Sequence, residues 1–342
     1  MQGDKSVFVL LAYDSLAKTW SVERALDGVF DHPFLMAAHG DVLYLFDPDK
    51  YLLYQYDTVA RTLSDPLDCS SLEACAPQGT MLMFGGMACD GASLWLSGGC
   101  LPDGTAVTLA ARIDVRTGQA TALPPLGSGR VTPAVHVLDG TLTVAAGNAS
   151  VQPSSLVGSV EQLREGLWTA TGVPDAVESL QSGAVASAVL PSGMGIDGVA
   201  TEDERLVLAG LVSADDAGAD TYVFDPATGA WQAVRERFSA GKMVYGGAAV
   251  LDNALYVLGE DVLSGSTVFK RLALEAAPEP TPPTPPTPPV SPTTPASPED
   301  GAGADPKALV RTGDVVPIAS TAILGVVAIA CGTLAFAHRR RR

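Results

Sequence analysis

Short apolar runs separated by small or polar turns fill residues 1–276, and no helix-length amphipathic stripe interrupts them. Two kinds of unit alternate. The first is a hairpin of two apolar strands, as in "FLMAAHGDVLYLFD", "MFGGMACDGASLWLSGG", "PAVHVLDGTLTVAAG", "GVATEDERLVLAG" and "YGGAAVLDNALYVLG". Their second strands centre on Leu43-Tyr44, Leu94-Trp95, Leu142-Thr143, Leu206-Val207 and Leu255-Tyr256, at intervals of 51, 48, 64 and 49 residues. The second unit is an aromatic or aliphatic residue, an Asp, a short polar turn and another apolar residue seven positions on. It recurs as Tyr13 to Trp20, Tyr56 to Leu63, Ile113 to Ala120 and Phe224 to Trp231. "SVEQLREGLW" reads as a weaker copy with one extra residue, Val160 to Trp168. Asp, Thr and Gly suit the tight turn between the two strands. The alternation predicts four antiparallel strands per repeat. Such a unit cannot bury both faces alone, so neighbours must stack, and a radial array of four-stranded sheets does this.

This pattern resembles Kelch-type β-propeller repeats. Those pair an apolar second strand ending in Gly-Gly with a downstream Tyr and Trp at fixed separation. Gly98-Gly99 after "LWLS" is the best match, and Tyr13/Trp20, Tyr56 and Phe224/Trp231 occupy the aromatic positions. Other second strands end in "AAG", "LAG" or "LGE". The resemblance implies an all-β Kelch-like propeller over residues 1–276, with about five and a half blades visible. The chain opens at a third strand ("SVFVLLAYD") and a fourth ("TWSVER"), with no hairpin and no charged-then-apolar export signal before them. The expectation from this is a chain that lacks its original beginning.

Residues 277–308 change character. Their proline and threonine repeat cannot form a packed core and favours extended polyproline II. Thirty such residues span roughly 90 Å at full extension. Residues 315–337 carry no charge, and they are long enough to cross a bilayer as a helix. The basic tail 338–342, "HRRRR", belongs on the cytoplasmic side, which puts the propeller outside. Between stalk and span, at 309–314, stands "LVRTGD". The order of short motif, apolar span and basic tail resembles a sortase sorting signal of the Leu-Pro-any-Thr-Gly type. Leu309, Arg311, Thr312 and Gly313 match its positions, and Val310 stands where proline is usual. The resemblance implies a Gram-positive-type cell, a sortase and a peptidoglycan precursor as partners. A cysteine thiolate of the sortase would attack the Thr312 carbonyl and release Gly313 with the span.

Charge narrows the partners further. A formal charge of −17 argues against nucleic acid, whose phosphates need a basic surface. Cys69, Cys75, Cys89 and Cys100 fall within one short stretch. A local Cys69–Cys75 disulfide is open to an exported chain, as are two other pairings or four buried thiols. Zinc is disfavoured, with no CxxC pair and no histidine cluster. His32, His39 and His136 are scattered. Some Kelch-like propellers are copper oxidases with tyrosine, histidine and a tyrosine–cysteine cross-link, but their ligand set has no match here, and no cofactor is expected. "DPATGAW" (225–231) is loosely like a sialidase Asp-box and reads better as a repeat turn. "ADDAGAD" (214–220) and "DPDK" (47–50) read as solvated acidic turns rather than calcium loops. "NAS" (148–150) fits a glycosylation sequon, which means little in that bacterial setting. The expectation is a displayed binding or adhesion module for an unnamed protein or glycan. The alternatives are a glycan-active or oxidative enzyme, a plain membrane-anchored propeller, or a truncated product.

Overall fold

The computed structural model describes residues 8–276, except 153–154, 174–176, 180–184, 197–198, 201, 214–220, 235–242, 252 and 262–265. Residues 277–342, read above as stalk, sorting motif, span and basic tail, lie outside the described residues. Among the described residues, no helix is long and apolar enough to cross a membrane.

The chain forms a five-blade β-propeller. Blade 1 comprises Leu35–His39, Val42–Asp47, Leu52–Asp57 and Thr62–Leu63. Blade 2 comprises Met81–Cys89, Ser93–Cys100, Ala110–Asp114 and Ala120–Ala122. Blade 3 comprises Ala134–Leu138, Thr141–Ala145, Ser159–Arg164 and Leu167–Gly172. Blade 4 comprises Ala186–Leu190, Arg205–Ala209, Thr221–Phe224 and Trp231–Ala233. Blade 5 shows three strands, Met243–Leu251, Ala254–Asp261 and Ser266–Ala273. The first strands of blades 1 to 5 are neighbours in order around the ring. Before blade 1 stands a two-stranded sheet, β1 (Val9–Asp14) and β2 (Thr19–Ala25).

Burial explains the strand patterns. The second strands of blades 1, 3 and 4 are buried at nearly every position, so they read as continuous apolar runs. Each is covered on both faces by a neighbouring blade. The outer strands Thr19–Ala25 and Leu167–Gly172 are mostly exposed, and polar residues alternate with apolar ones along them.

Six apolar clusters close the circle. One joins blades 1 and 2 through Phe46, Leu94 and Ile113, and another joins blades 2 and 3 through Ala88, Val135 and Val144. Phe224, Leu206 and Val160 link blades 3 and 4, and Val207, Val223 and Leu255 link blades 4 and 5. The two-stranded sheet occupies the remaining sector. Leu10 packs on Leu43, Leu45 and Tyr56 of blade 1, while Tyr13 packs on Tyr256 and Phe269 of blade 5.

Two sequence readings change. "GVATEDERLVLAG" is not the blade 4 hairpin. The second strand Arg205–Ala209 pairs with Ala186–Leu190, well upstream. Val199–Ala200 pairs instead with Met194–Ile196, which in turn pairs with Glu275–Ala276. This excursion accounts for the 64-residue interval. In blade 3, Trp168 pairs with Leu163 and not with Val160. The turn there is a two-residue Glu165-Gly166 connection, with both residues at positive φ.

Candidate functional site

The recurring Asp turns out to be a turn-builder. Asp57 and Asp114 end the third strands of blades 1 and 2, Asp225 follows that of blade 4 and Asp14 ends β1; each accepts backbone N–H groups two and three residues on at 2.7–3.3 Å. The residue four positions later has positive φ: Lys18, Arg61, Gly118 and Gly229. The N–H groups of Arg116 and Thr117 hold the Asp114 carboxyl below its usual range. "DPATGAW" is such a turn, with Asp225 also paired to Arg205 at 3.1 Å.

The aromatic positions face one another across the same turns. Tyr13 is opposite Trp20 and Phe224 opposite Trp231, with ring centroids 5.1 and 4.9 Å apart. The outer tryptophans also tie blades together. Trp231 Nε1 donates to the Gly172 carbonyl at 2.9 Å, and Trp168 Nε1 donates to the Pro124 carbonyl at 2.7 Å. In both cases the acceptor lies at the end of the preceding blade's outer strand. Tyr56 is fully buried, and its hydroxyl donates to Glu23 at 2.5 Å. Burial and then that carboxylate push the phenol up to about 12. Gly98 and Gly99 have φ of +76° and +111°, and Gly99 N–H donates to the Arg130 carbonyl at 2.8 Å. A side chain at Gly98 would run into that same carbonyl.

Arg130 is the residue that the sequence reading missed. It is fully buried, with its guanidinium 2.8 Å from Glu161 and bonded to the Ala146 and Ser159 carbonyls. Glu161 also accepts from Gly127 N–H at 2.6 Å. The network ties the 123–133 connection to blade 3.

Cys69, Cys75, Cys89 and Cys100 are separate thiols, so the Cys69–Cys75 bridge is not formed. The two flank or end a short 3₁₀ turn, Ser70–Cys75, and pack into the core between blades 1 and 2. Burial pushes the Cys69 thiol up to about 12. Tyr44 hydrogen-bonds Cys89, and both groups are raised, chiefly by burial. Among the described residues, no three His, Cys, Asp or Glu side chains converge to hold a metal ion. Asp47 of "DPDK" is occupied by the N–H groups of Asp49 and Lys50 and by Lys50 Nζ at 3.6 Å. "ADDAGAD" lies outside the described residues. Asn148 of the "NAS" sequon is buried. His32 is exposed, His39 packs beside Gly91, and His136 Nε2 lies 2.7 Å from Ser187 Oγ between blades 3 and 4.

Two grooves open between blades at the end that carries these turns. The larger, about 450 Å³, lies between blades 1 and 2 and is lined by Tyr44, Gln55, Asp65, Pro66, Gly91 and Arg116 among others. Gln55 Nε2 crosses it to the Val115 carbonyl at 2.9 Å. The smaller, about 270 Å³, lies between blades 3 and 4 and includes Asp139, Gln162, Arg164, Asp203 and Pro226. Arg164 crosses there to the Pro226 carbonyl at 3.0 Å. Gln55 and Gln162 hold equivalent positions, opposite Tyr44 and Thr143 of their second strands. The chain matches no known family model, and no curated protein matches it.

Proposed function

We propose that this protein is a Kelch-like propeller displayed at the cell surface, where it acts as a binding or adhesion module. A sortase cleaves between Thr312 and Gly313 and joins the chain to the cell wall, with 277–308 as its stalk. The observation that carries this reading is the order of the tail. "LVRTG" precedes 23 uncharged residues and a run of four arginines, which matches what a transpeptidase needs: a substrate site, a membrane hold and a cytoplasmic stop. Turn-built grooves on a rigid ring suit recognition, because loops on a scaffold carry binding surfaces. The test is wall fractionation with mass spectrometry. A C-terminal peptide ending at Thr312 and bearing a wall fragment supports the reading. An intact tail found only in membranes overturns it.

A further inference from the structure

The groove between blades 1 and 2 differs from a simple crevice in three respects. Gly91, on the blade 2 turn, lines it without a side chain. With φ at +90°, a Cβ there would stand 2.6 Å from the His39 imidazole. A carboxamide, Gln55, spans the cleft: its Nε2 donates to the Val115 carbonyl at 2.9 Å, and its Oε1 is an acceptor. Charges of opposite sign line the cleft: Asp65 follows the outer strand of blade 1, and Arg116 sits on the blade 2 turn. Both are exposed, and neither enters an ion pair among the described residues. The volume falls within the range of small-ligand sites. The groove between blades 3 and 4 repeats the glutamine, but its arginine is already bonded to Pro226 and its volume is smaller.

We propose that the groove between blades 1 and 2 binds an extended peptide segment carrying one basic and one acidic side chain. The basic group meets Asp65, the acidic group meets Arg116, and the peptide backbone lies against Gln55. This deepens the binding-module reading and rests on it. Two opposed charges favour a dipolar ligand over a neutral sugar. The overall charge of −17 attracts any cation, so a cationic peptide alone is no evidence.

The test uses the full chain in detergent and fluorescein-labelled peptides with blocked termini. These are Lys-(Ala)n-Asp and the reversed Asp-(Ala)n-Lys, with n from 1 to 4, titrated by anisotropy. The wild type is expected to prefer one spacing and one order. Asp65→Lys and Arg116→Asp each reduce binding of that peptide at least tenfold. The double variant inverts the preferred order, a result that general misfolding cannot produce. Asp203→Asn, in the other groove, leaves binding unchanged. The proposal is overturned by equal binding of both orders, by no binding up to about 1 mM, by an unchanged order in the double variant, or by equal loss from Asp203→Asn. Wall linkage at Thr312 is read separately by mass. A failed titration with a linked chain therefore removes only the groove, and an unlinked chain with intact peptide selectivity removes only the display reading.

Discussion

At Gly98, positive φ and a close carbonyl act together, whereas at Gly140 only the first applies. Gly98 has φ +76° and the Arg130 carbonyl in the path of any Cβ; Gly140 has φ +74° and nothing within 4 Å. Gly140→Ala should therefore cost only the left-handed strain, about 1 kcal/mol. Gly98→Ala should cost about 3 kcal/mol, because backbone must also move. Urea titration of both variants checks this through the midpoints, and equal losses would sink the account. His136 gives a second prediction. Its ring lies partly buried between blades 3 and 4, and burial lowers its pKa from 6.5 to about 4. The unfolded chain then binds a proton that the folded chain refuses between those two values. Stability from this group is fully present above pH 6.5 and falls as the pH drops toward 4, by at most about 3 kcal/mol. Asp114 and Asp225, whose carboxyls are held low, lose their contribution only below the usual carboxylate range near 3.8. His136→Gln should flatten stability between pH 6.5 and 4 while leaving the steeper acid limb. An unchanged slope in that window would refute the assignment.

The indole bonds of the outer strands set the coupling between successive blades. Trp231→Phe keeps the ring on Phe224 but removes the donor to Gly172, at a cost of about 1 kcal/mol. Trp20 enters the fold through ring contacts with Tyr13 and Phe269, so Trp20→Phe should cost clearly less. Paired denaturation curves measure the difference, and a larger loss at Trp20 would contradict it. These elements show what sequence could reveal. The Asp-to-aromatic turns were legible because one local bond set, Asp carboxylate to two N–H groups, fixes their spacing. The second strands of blades 1 and 4 were legible because each centres on adjacent buried apolar positions, at Leu43-Tyr44 and Leu206-Val207. The first strand of blade 4 was not. "ASAVL" is small and weakly apolar, and the nearer "GVA" imitates it, so only tertiary pairing decides. Arg130 was equally hidden, since an isolated arginine in a connection gives no sign of Glu161 thirty-one residues on. The groove draws on residues near 44–67, 91 and 115–116, and no single stretch of sequence carries that combination.

The ring as a whole turns on the two-stranded sheet at its start. Five blades are sequentially packed, and the sector between blades 5 and 1 is filled by β1 and β2. Tyr13 faces Tyr256 and Phe269 on one side, while Leu10 and Glu23 face Leu43 and Tyr56 on the other. At Glu23 the pairing skips a residue, a bulge that turns this carboxylate toward blade 1. If closure is what makes the propeller cooperative, a defect in this sheet must weaken every blade and not merely release residues 8–26. Tyr13→Ala removes the ring that touches blade 5 and should lower global stability by about 2 kcal/mol or more. It should lower it within a single transition, seen alike by circular dichroism and by tryptophan emission. In a Trp20→Phe background, which removes the indole that touches Tyr13, emission comes from Trp95, Trp168 and Trp231 in blades 2, 3 and 4. Closure fails as an explanation if their transition stays in place while limited proteolysis frees the N-terminal hairpin. In that case the five blades would hold one another without a closed circle, and the sixth sector would be a local appendage.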